Sequence, residues 1–179
     1  ISTSTTEGYW SFNSDLTDAS SNSLDFTATG CTPTDCITSD GHMGDGIVLD
    51  GSGDFLESSD IDGDIDIVAN DGSCAGTQNC GWSMEAWINL DDADDGTIIF
   101  IGDNDGSTGE NELSWTVTGG EMQICHNSCG GFPAFDRVTT TTASMTTGGG
   151  WYHVAITWDD SANQLDVWMN NERIESDNA

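Results

Sequence analysis

Alternation of apolar and polar residues with a period of two is the feature that most constrains the fold of this chain. Segments 82–90, 152–158 and 164–170 all show it. Successive side chains of a β-strand point to opposite faces, so each segment is predicted to bury one face and expose the other. Trp82 and Met84 take the buried face of the first segment, and Glu85 and Trp87 take the exposed one.

Shorter segments fit the same reading. Residues 112–118 and 121–125 alternate around Gly119-Gly120 and predict a β-hairpin. Residues 47–49 and 55–57 are predicted to be two strands around a Gly- and Asp-rich turn. Residues 97–101 are predicted to be a strand that is buried on both faces, and the other predicted strands are 9–13 and 139–142. The polar stretch 15–46 is predicted to be a long loop. Without a helical period or an internal repeat, the pattern indicates an all-β fold, an antiparallel jelly-roll β-sandwich.

Charge narrows the function classes. The 179 residues include 32 Asp and Glu, 2 Arg and no Lys, for a net charge of −30. Two cations cannot form a nucleic-acid surface or bind an anionic membrane, and no apolar run approaches the length of a membrane span. Seven Trp and 35% hydrophobic residues argue against disorder. Such an acidic surface is expected to be screened by salt or bound cations, as in a saline or Ca²⁺-rich extracellular setting.

The six cysteines fall into three close pairs. Six cysteines allow 15 connectivities, and the sequence does not choose among them. Local pairing is the simplest expectation, and it joins Cys31 to Cys36, Cys74 to Cys80 and Cys125 to Cys129. The alternative is zinc, with His126 inside the last pair. Disulfides indicate an oxidising compartment, so the protein is predicted to be secreted. The first residues form no signal segment, which indicates a processed or trimmed chain.

Six motifs follow one another in a recognisable order. They are 8–13 (GYWSFN), 44–56 (GDGIVLDGSGDFL), 82–88 (WSMEAWI), 96–103 (GTIIFIGD), 151–159 (WYHVAITWD) and 165–171 (LDVWMNN). Together they resemble the LamG-like jelly-roll branch of the concanavalin A-like lectin/glucanase superfamily. The resemblance implies one domain over 8–179 behind an arm at 1–7. It also implies closing strands that this sequence does not contain, unless residues 173–175 supply that edge.

Acidic clusters are candidate Ca²⁺ sites, since Ca²⁺ prefers carboxylate and carbonyl oxygens. In the first cluster, carboxylates alternate with other residues around Gly63, and the candidate ligands are Asp60, Asp62, Asp64 and Asp66. In the second cluster the candidate ligands are Asp103 and Asp105. Gly72 stands where an EF-hand loop would need a bidentate Glu, so the first cluster is not of that type. The acidic run 91–95 is interpreted as a solvated turn.

Four outward-facing residues form the candidate ligand site. The resemblance makes the strands of Glu85, Trp87, His153 and Trp168 neighbours, and aromatic rings beside polar groups suit a sugar. The alternative is that other parts of the fold cover this face. The remaining tryptophans considered are assigned to the core: Trp10, Trp82, Trp115, Trp151 and Trp158.

Catalysis is not expected. A glycosidase of this superfamily would carry paired carboxylates on a strand, whereas Glu85 is followed on its face by Trp87, and Glu121 by Gln123. Nucleophile-elbow, zinc-protease and phosphate-loop motifs are absent from the sequence. The expected function is therefore a non-catalytic extracellular recognition or adhesion module, stabilised by Ca²⁺, that binds a glycan or a surface protein. The alternatives are a filament or surface-layer subunit, assembled by exchange of the arm 1–6 as a strand, and a polysaccharide hydrolase or lyase.

Overall fold

The computed structural model describes residues 6, 8–58, 81–91, 96–101, 113–126, 137–139, 144–159, 162 and 164–178. The chain divides into two compact units, residues 1–66 and residues 67–179. Almost all of the predicted arm 1–7 lies outside the described residues, and the prediction of one domain over 8–179 stays a prediction.

The first unit contains four short strands and one helical turn. They are β1 (Thr27–Thr29), α1 (Pro33–Cys36), β2 (Ile37–Gly41), β3 (Gly44–Ile47) and β4 (Phe55–Glu57). β1 pairs with β4 and β2 pairs with β3, both antiparallel. The long loop predicted at 15–46 is therefore wrong. Its strands are rich in Gly, Thr and Asp and have little buried surface, so they carry no alternation that sequence reasoning could detect.

The predicted pairing of 47–49 with 55–57 is also wrong. Ile47 pairs with Ile37 in the β2–β3 hairpin, and β4 pairs with β1 instead. Gly51 and Gly53 between them adopt positive φ values of 72° and 92°. These glycines allow the connection to turn away from a simple two-strand hairpin.

Residues 9–13 were expected to form a strand, but only one bridge joins Trp10 to Asp18. The buried Asp18 carboxylate takes the place of strand pairing by accepting hydrogen bonds from the backbone N–H groups of Tyr9, Ser20 and Leu24 at 2.8, 2.8 and 3.0 Å. Burial raises the pKa of Asp18, but the hydrogen bonds from Ser20, Tyr9 and Leu24 outweigh it and leave the pKa below its usual value.

The second unit contains two four-stranded antiparallel sheets. Its strands are β5 (Trp82–Asn89), β6 (Gly96–Ile101), β7 (Leu113–Thr118), β8 (Glu121–His126), β9 (Arg137–Thr139), β10 (Trp151–Asp159), β11 (Gln164–Met169) and β12 (Glu172–Asn178). One sheet has the order β12-β11-β10-β5 and the other β6-β7-β8-β9. The fold is an all-β sandwich, as predicted.

Alternation decides which residues form the core of the second unit. The predicted hairpin is present as β7 and β8, with Trp115 opposite Ile124. The residues below one-tenth exposure in the two sheets are Ile101, Leu113, Trp115, Val117, Met122, Ile124, Val154, Ile156, Trp158, Leu165 and Val167. Val154, Ile156, Trp158, Leu165 and Val167 fall on the inward parity predicted for their segments, so the opposite faces of β10 and β11 point away from this core.

Two details of the second unit differ from expectation. β6 is not buried on both faces, since Phe100 is 47% exposed. It lies at the end of its sheet's strand order, with a register shift between Thr97 and Ile99. The segment after 171, which had no alternation, forms β12 beside β11, at one end of that sheet's strand order. Whether residues 173–175 replace the closing strands stays a prediction.

Candidate ligand-binding face

The surface of the β12-β11-β10-β5 sheet that points away from the core is here called the outer face. Its rows follow from strand register: Glu85 lies opposite Ala155, which lies opposite Trp168. In the next row Trp87 lies opposite His153. The outer face includes the side chains of Glu85, Trp87, His153, Ala155, Thr157, Asp166, Trp168 and Arg173. Sequence reasoning chose four of them, Glu85, Trp87, His153 and Trp168, as ligand residues, and the structure brings these four onto adjoining rows.

Glu85, His153 and Trp87 are in direct contact. The Nε2 atom of His153 lies 3.2 Å from a carboxylate oxygen of Glu85, and the His153 ring centroid lies 5.0 Å from that of Trp87. The side chain of Glu85 is 69% exposed and that of His153 is 23% exposed. Trp87 is 40% exposed. The imidazole therefore supports an indole and a carboxylate that both remain accessible to a ligand.

His153 is itself fixed by the turn that joins β11 to β12. Its backbone N–H donates to the Asn170 side chain at 3.0 Å, and the Asn170 N–H donates to the His153 carbonyl at 2.8 Å. Asn170 and Asn171 have φ values of 51° and 68°, as a tight hairpin turn requires. The position of His153 on the outer face is thus set by hydrogen bonds at both of its backbone groups.

Trp168 stands on the other side of β10. Its indole N–H donates to the Thr157 hydroxyl at 3.3 Å, and the side chain is half-buried. The side chain of Ala155, between Trp168 and Glu85, is a single methyl group. Two strand spacings separate the flanking strands by about 10 Å. The row therefore runs from Glu85 over the small Ala155 to Trp168, and Trp87 lies in the adjoining row.

Arg173 on β12 lies opposite Trp168, at the end of this row. Its guanidinium lies 3.4 Å from one oxygen of Asp166 and 3.5 Å from the other. Gln164 donates to the same carboxylate at 2.8 Å. The Asp166 carboxylate therefore balances the charge of Arg173 within the sheet. Of the two carboxylates in the ion pairs of this face, Glu85 is more exposed than Asp166.

Sequence reasoning missed two contributions to this surface. Ala155, which lies between Glu85 and Trp168, was assigned to the outward parity but given no role. Trp151 was assigned to the core, yet it pairs with Asn89, on the same parity as Trp87 and His153. The signal was available, since β10 begins at Trp151 and every second residue from there faces outward.

The described residues include some of the predicted disulfide cysteines and none of the candidate Ca²⁺ ligands. Cys31 and Cys36 form the expected disulfide, and Cys125 is disulfide-bonded as well. Cys74, Cys80 and Cys129 lie outside the described residues. So do all of the candidate Ca²⁺ ligands, Asp60, Asp62, Asp64, Asp66, Asp103 and Asp105. In the part of the chain that the structure describes, no three His, Cys, Asp or Glu side chains group as metal ligands would.

The sheets and their buried alternation define an antiparallel β-sandwich with one aromatic outer face. Residues 60–179, about two-thirds of the chain, match a laminin G family model of the concanavalin A-like lectin/glucanases superfamily. The chain therefore belongs to this superfamily. Comparison with curated proteins and with solved structures found no match. No helix in the described ranges is long and apolar enough to cross a membrane.

Proposed function

We propose that this chain is a non-catalytic, extracellular carbohydrate-recognition module that binds its glycan on the outer face. The observation that carries the proposal is the accessible Trp87 ring, supported by His153 beside the exposed Glu85 carboxylate, with Trp168 on the other side of β10. Aromatic rings offer a flat apolar surface to the C–H face of a sugar, and the adjacent polar groups hydrogen-bond its hydroxyls.

Preorganisation supports this assignment. Trp87 packs against an imidazole whose backbone is bonded on both sides to the Asn170 turn. Trp168 is oriented by its bond to Thr157. Side chains that are already ordered lose little conformational entropy when a ligand binds, so a shallow surface can still bind usefully.

The distribution of carboxylates favours binding over catalysis. A retaining or inverting glycosidase needs two carboxyl groups about 5–10 Å apart, one to donate a proton and one to attack or to activate water. Glu85 is paired with His153, whereas Asp166, on the far side of β10, accepts from Gln164 and contacts Arg173. Asp166 is thus engaged in holding the sheet edge.

The extracellular setting rests on separate observations. The Cys31–Cys36 disulfide suits an oxidising compartment. The net charge of −30 suits a surface screened by salt or cations. We include in the proposal that Ca²⁺ stabilises the protein through the acidic clusters around Asp60 and Asp103.

Calorimetric titration with a panel of soluble oligosaccharides tests the proposal. Trp87→Ala and Trp168→Ala are each expected to weaken binding at least tenfold. Phe100→Ala is the matched control, because Phe100 is an equally exposed aromatic residue in the other sheet. Absence of binding by the whole panel, or equal affinities in all three variants, would refute the outer face as a glycan site.

A further inference from the structure

The chemical character of the outer face narrows the class of sugar. Glu85 and Trp87 are two residues apart on β5 and therefore on the same face, about 7 Å apart along the strand. A cation within about 6 Å of an indole ring is attracted to its face, and a carboxylate attracts the same cation by charge. A ligand group that satisfies both at once is a protonated amine.

His153 leaves the Glu85 carboxylate able to accept further hydrogen bonds. Its Nε2 atom contacts one oxygen of Glu85, the Oε2 atom, at 3.2 Å. An ionised carboxylate has about four lone-pair positions on its two oxygens. With 69% of the side chain exposed, the Glu85 carboxylate can still accept hydrogen bonds from an incoming ammonium group.

The remaining charges disfavour an anionic sugar. The whole chain has two cationic side chains, Arg137 and Arg173. Arg173, which belongs to the outer face, lies 3.4 Å from the Asp166 carboxylate. A sulfated or carboxylated glycan would meet a net charge of −30, and the described residues of this face offer it no unpaired arginine. A cationic glycan would be attracted from a distance.

We propose that the outer face selects amino sugars with a protonated amine, with the ammonium group between the Glu85 carboxylate and the Trp87 ring and the sugar ring over Ala155. This inference rests on the proposed glycan-binding function. An exposed ion pair combined with a cation–π contact corresponds to about a tenfold preference over the same sugar with its amine acetylated.

The test compares two tetrasaccharides that differ only at the amine, glucosamine and N-acetylglucosamine, by calorimetry at pH 7 and physiological salt. Salt screens the general attraction between the acidic protein and any cation. The glucosamine tetramer is expected to bind about tenfold more tightly, and Glu85→Gln is expected to bring the ratio of the two affinities close to one. Glu172→Gln removes the same charge from an exposed position on β12, opposite Met169, and should leave the ratio as in the wild type.

The outcomes separate the two proposals. If the N-acetylated tetramer binds as tightly as the deacetylated one and both depend on Trp87, the face is a glycan site and the selectivity is refuted. If Glu172→Gln lowers the ratio as much as Glu85→Gln, net charge causes the preference, which also overturns the selectivity. Failure of both tetramers and of every neutral or anionic oligosaccharide to bind overturns both proposals. So does a Trp87-dependent self-association, observed by sedimentation, that excludes the sugars.

Discussion

Replacing Asp18 by Asn probes how the first unit is held together. One carboxylate oxygen accepts from the N–H groups of Tyr9 and Ser20, both at 2.8 Å. The other accepts from Leu24 N–H at 3.0 Å and from the Ser20 hydroxyl at 2.5 Å. Asn can keep one accepting oxygen, but its NH₂ group then faces the Leu24 N–H, which can only donate, whereas the Ser20 hydroxyl can turn to accept. The substitution therefore removes the charge from the remaining hydrogen bonds and leaves the N–H of the buried Leu24 without its acceptor.

The expected cost is about 2–4 kcal/mol of unfolding free energy, since a bond to a charged acceptor contributes about 1.5–3 kcal/mol and a buried unsatisfied donor costs about 1–3 kcal/mol. The effect should depend on pH. The folded state lowers the pKa of Asp18, so its contribution is present above the unfolded-state pKa of about 4 and is lost as pH falls through the lower folded value. The difference between wild type and variant should thus shrink at acid pH.

Urea denaturation at pH 7 and at pH 3 measures the global effect. Hydrogen exchange of the Trp10 indole N–H, which donates to the Leu24 carbonyl at 2.7 Å, reports on the first unit alone. Asp15→Asn is the control, because this substitution removes the same charge at an exposed position. The Asp15 carboxylate accepts hydrogen bonds from Thr17, two residues away. Equal effects of the two substitutions, or an Asp18 effect that is as large at pH 3 as at pH 7, would refute the reasoning.

Three other outcomes are expected. Thr157→Val removes the acceptor of the Trp168 indole N–H and should lower the free energy of unfolding by about 1 kcal/mol. The substitution should also weaken oligosaccharide binding in calorimetry. An unchanged affinity would show that this hydrogen bond does not position Trp168. EDTA at low salt should lower the melting temperature and Ca²⁺ should restore it. No shift would mean that the acidic clusters hold no stabilising ion. Peptide mapping without reduction should recover three local bridges, and a bridge between different regions would contradict the pairing of Cys31 with Cys36, Cys74 with Cys80, and Cys125 with Cys129.

The fold was predictable wherever one face of a strand is buried. β7, β8, β10 and β11 each bury one parity and β5 half-buries one, and their alternation located them to within one or two residues. The first unit gave no such signal. β2 and β3 contain three glycines between them and have one buried residue, Gly46. Their positions depend on the turn at His42 and Met43 and on the Cys31–Cys36 disulfide, which alternation does not report.

The candidate site was predictable in membership but not in arrangement. Parity alone placed Glu85, Trp87 and His153 on an outward face. It could not tell that His153 lies opposite Trp87 rather than opposite Glu85, because that depends on register across two strands distant in sequence. Arg173 was harder still. It reaches the row of Trp168 through a register shift between Val167 and Trp168, a local irregularity with no counterpart in the periodic pattern.

The central position of β10 explains why the outer face is suited to recognition. β10 pairs with β5 on one side and with β11 on the other, so its outward residues contact both neighbours. His153 contacts Glu85 and Trp87 on β5, and Thr157 accepts from Trp168 on β11. The inward residues between them, Val154 and Ile156, are fully buried. Core packing on one side of β10 therefore fixes the spacing of the side chains on the other, and the proposed ligand would meet a surface whose geometry is set before it arrives.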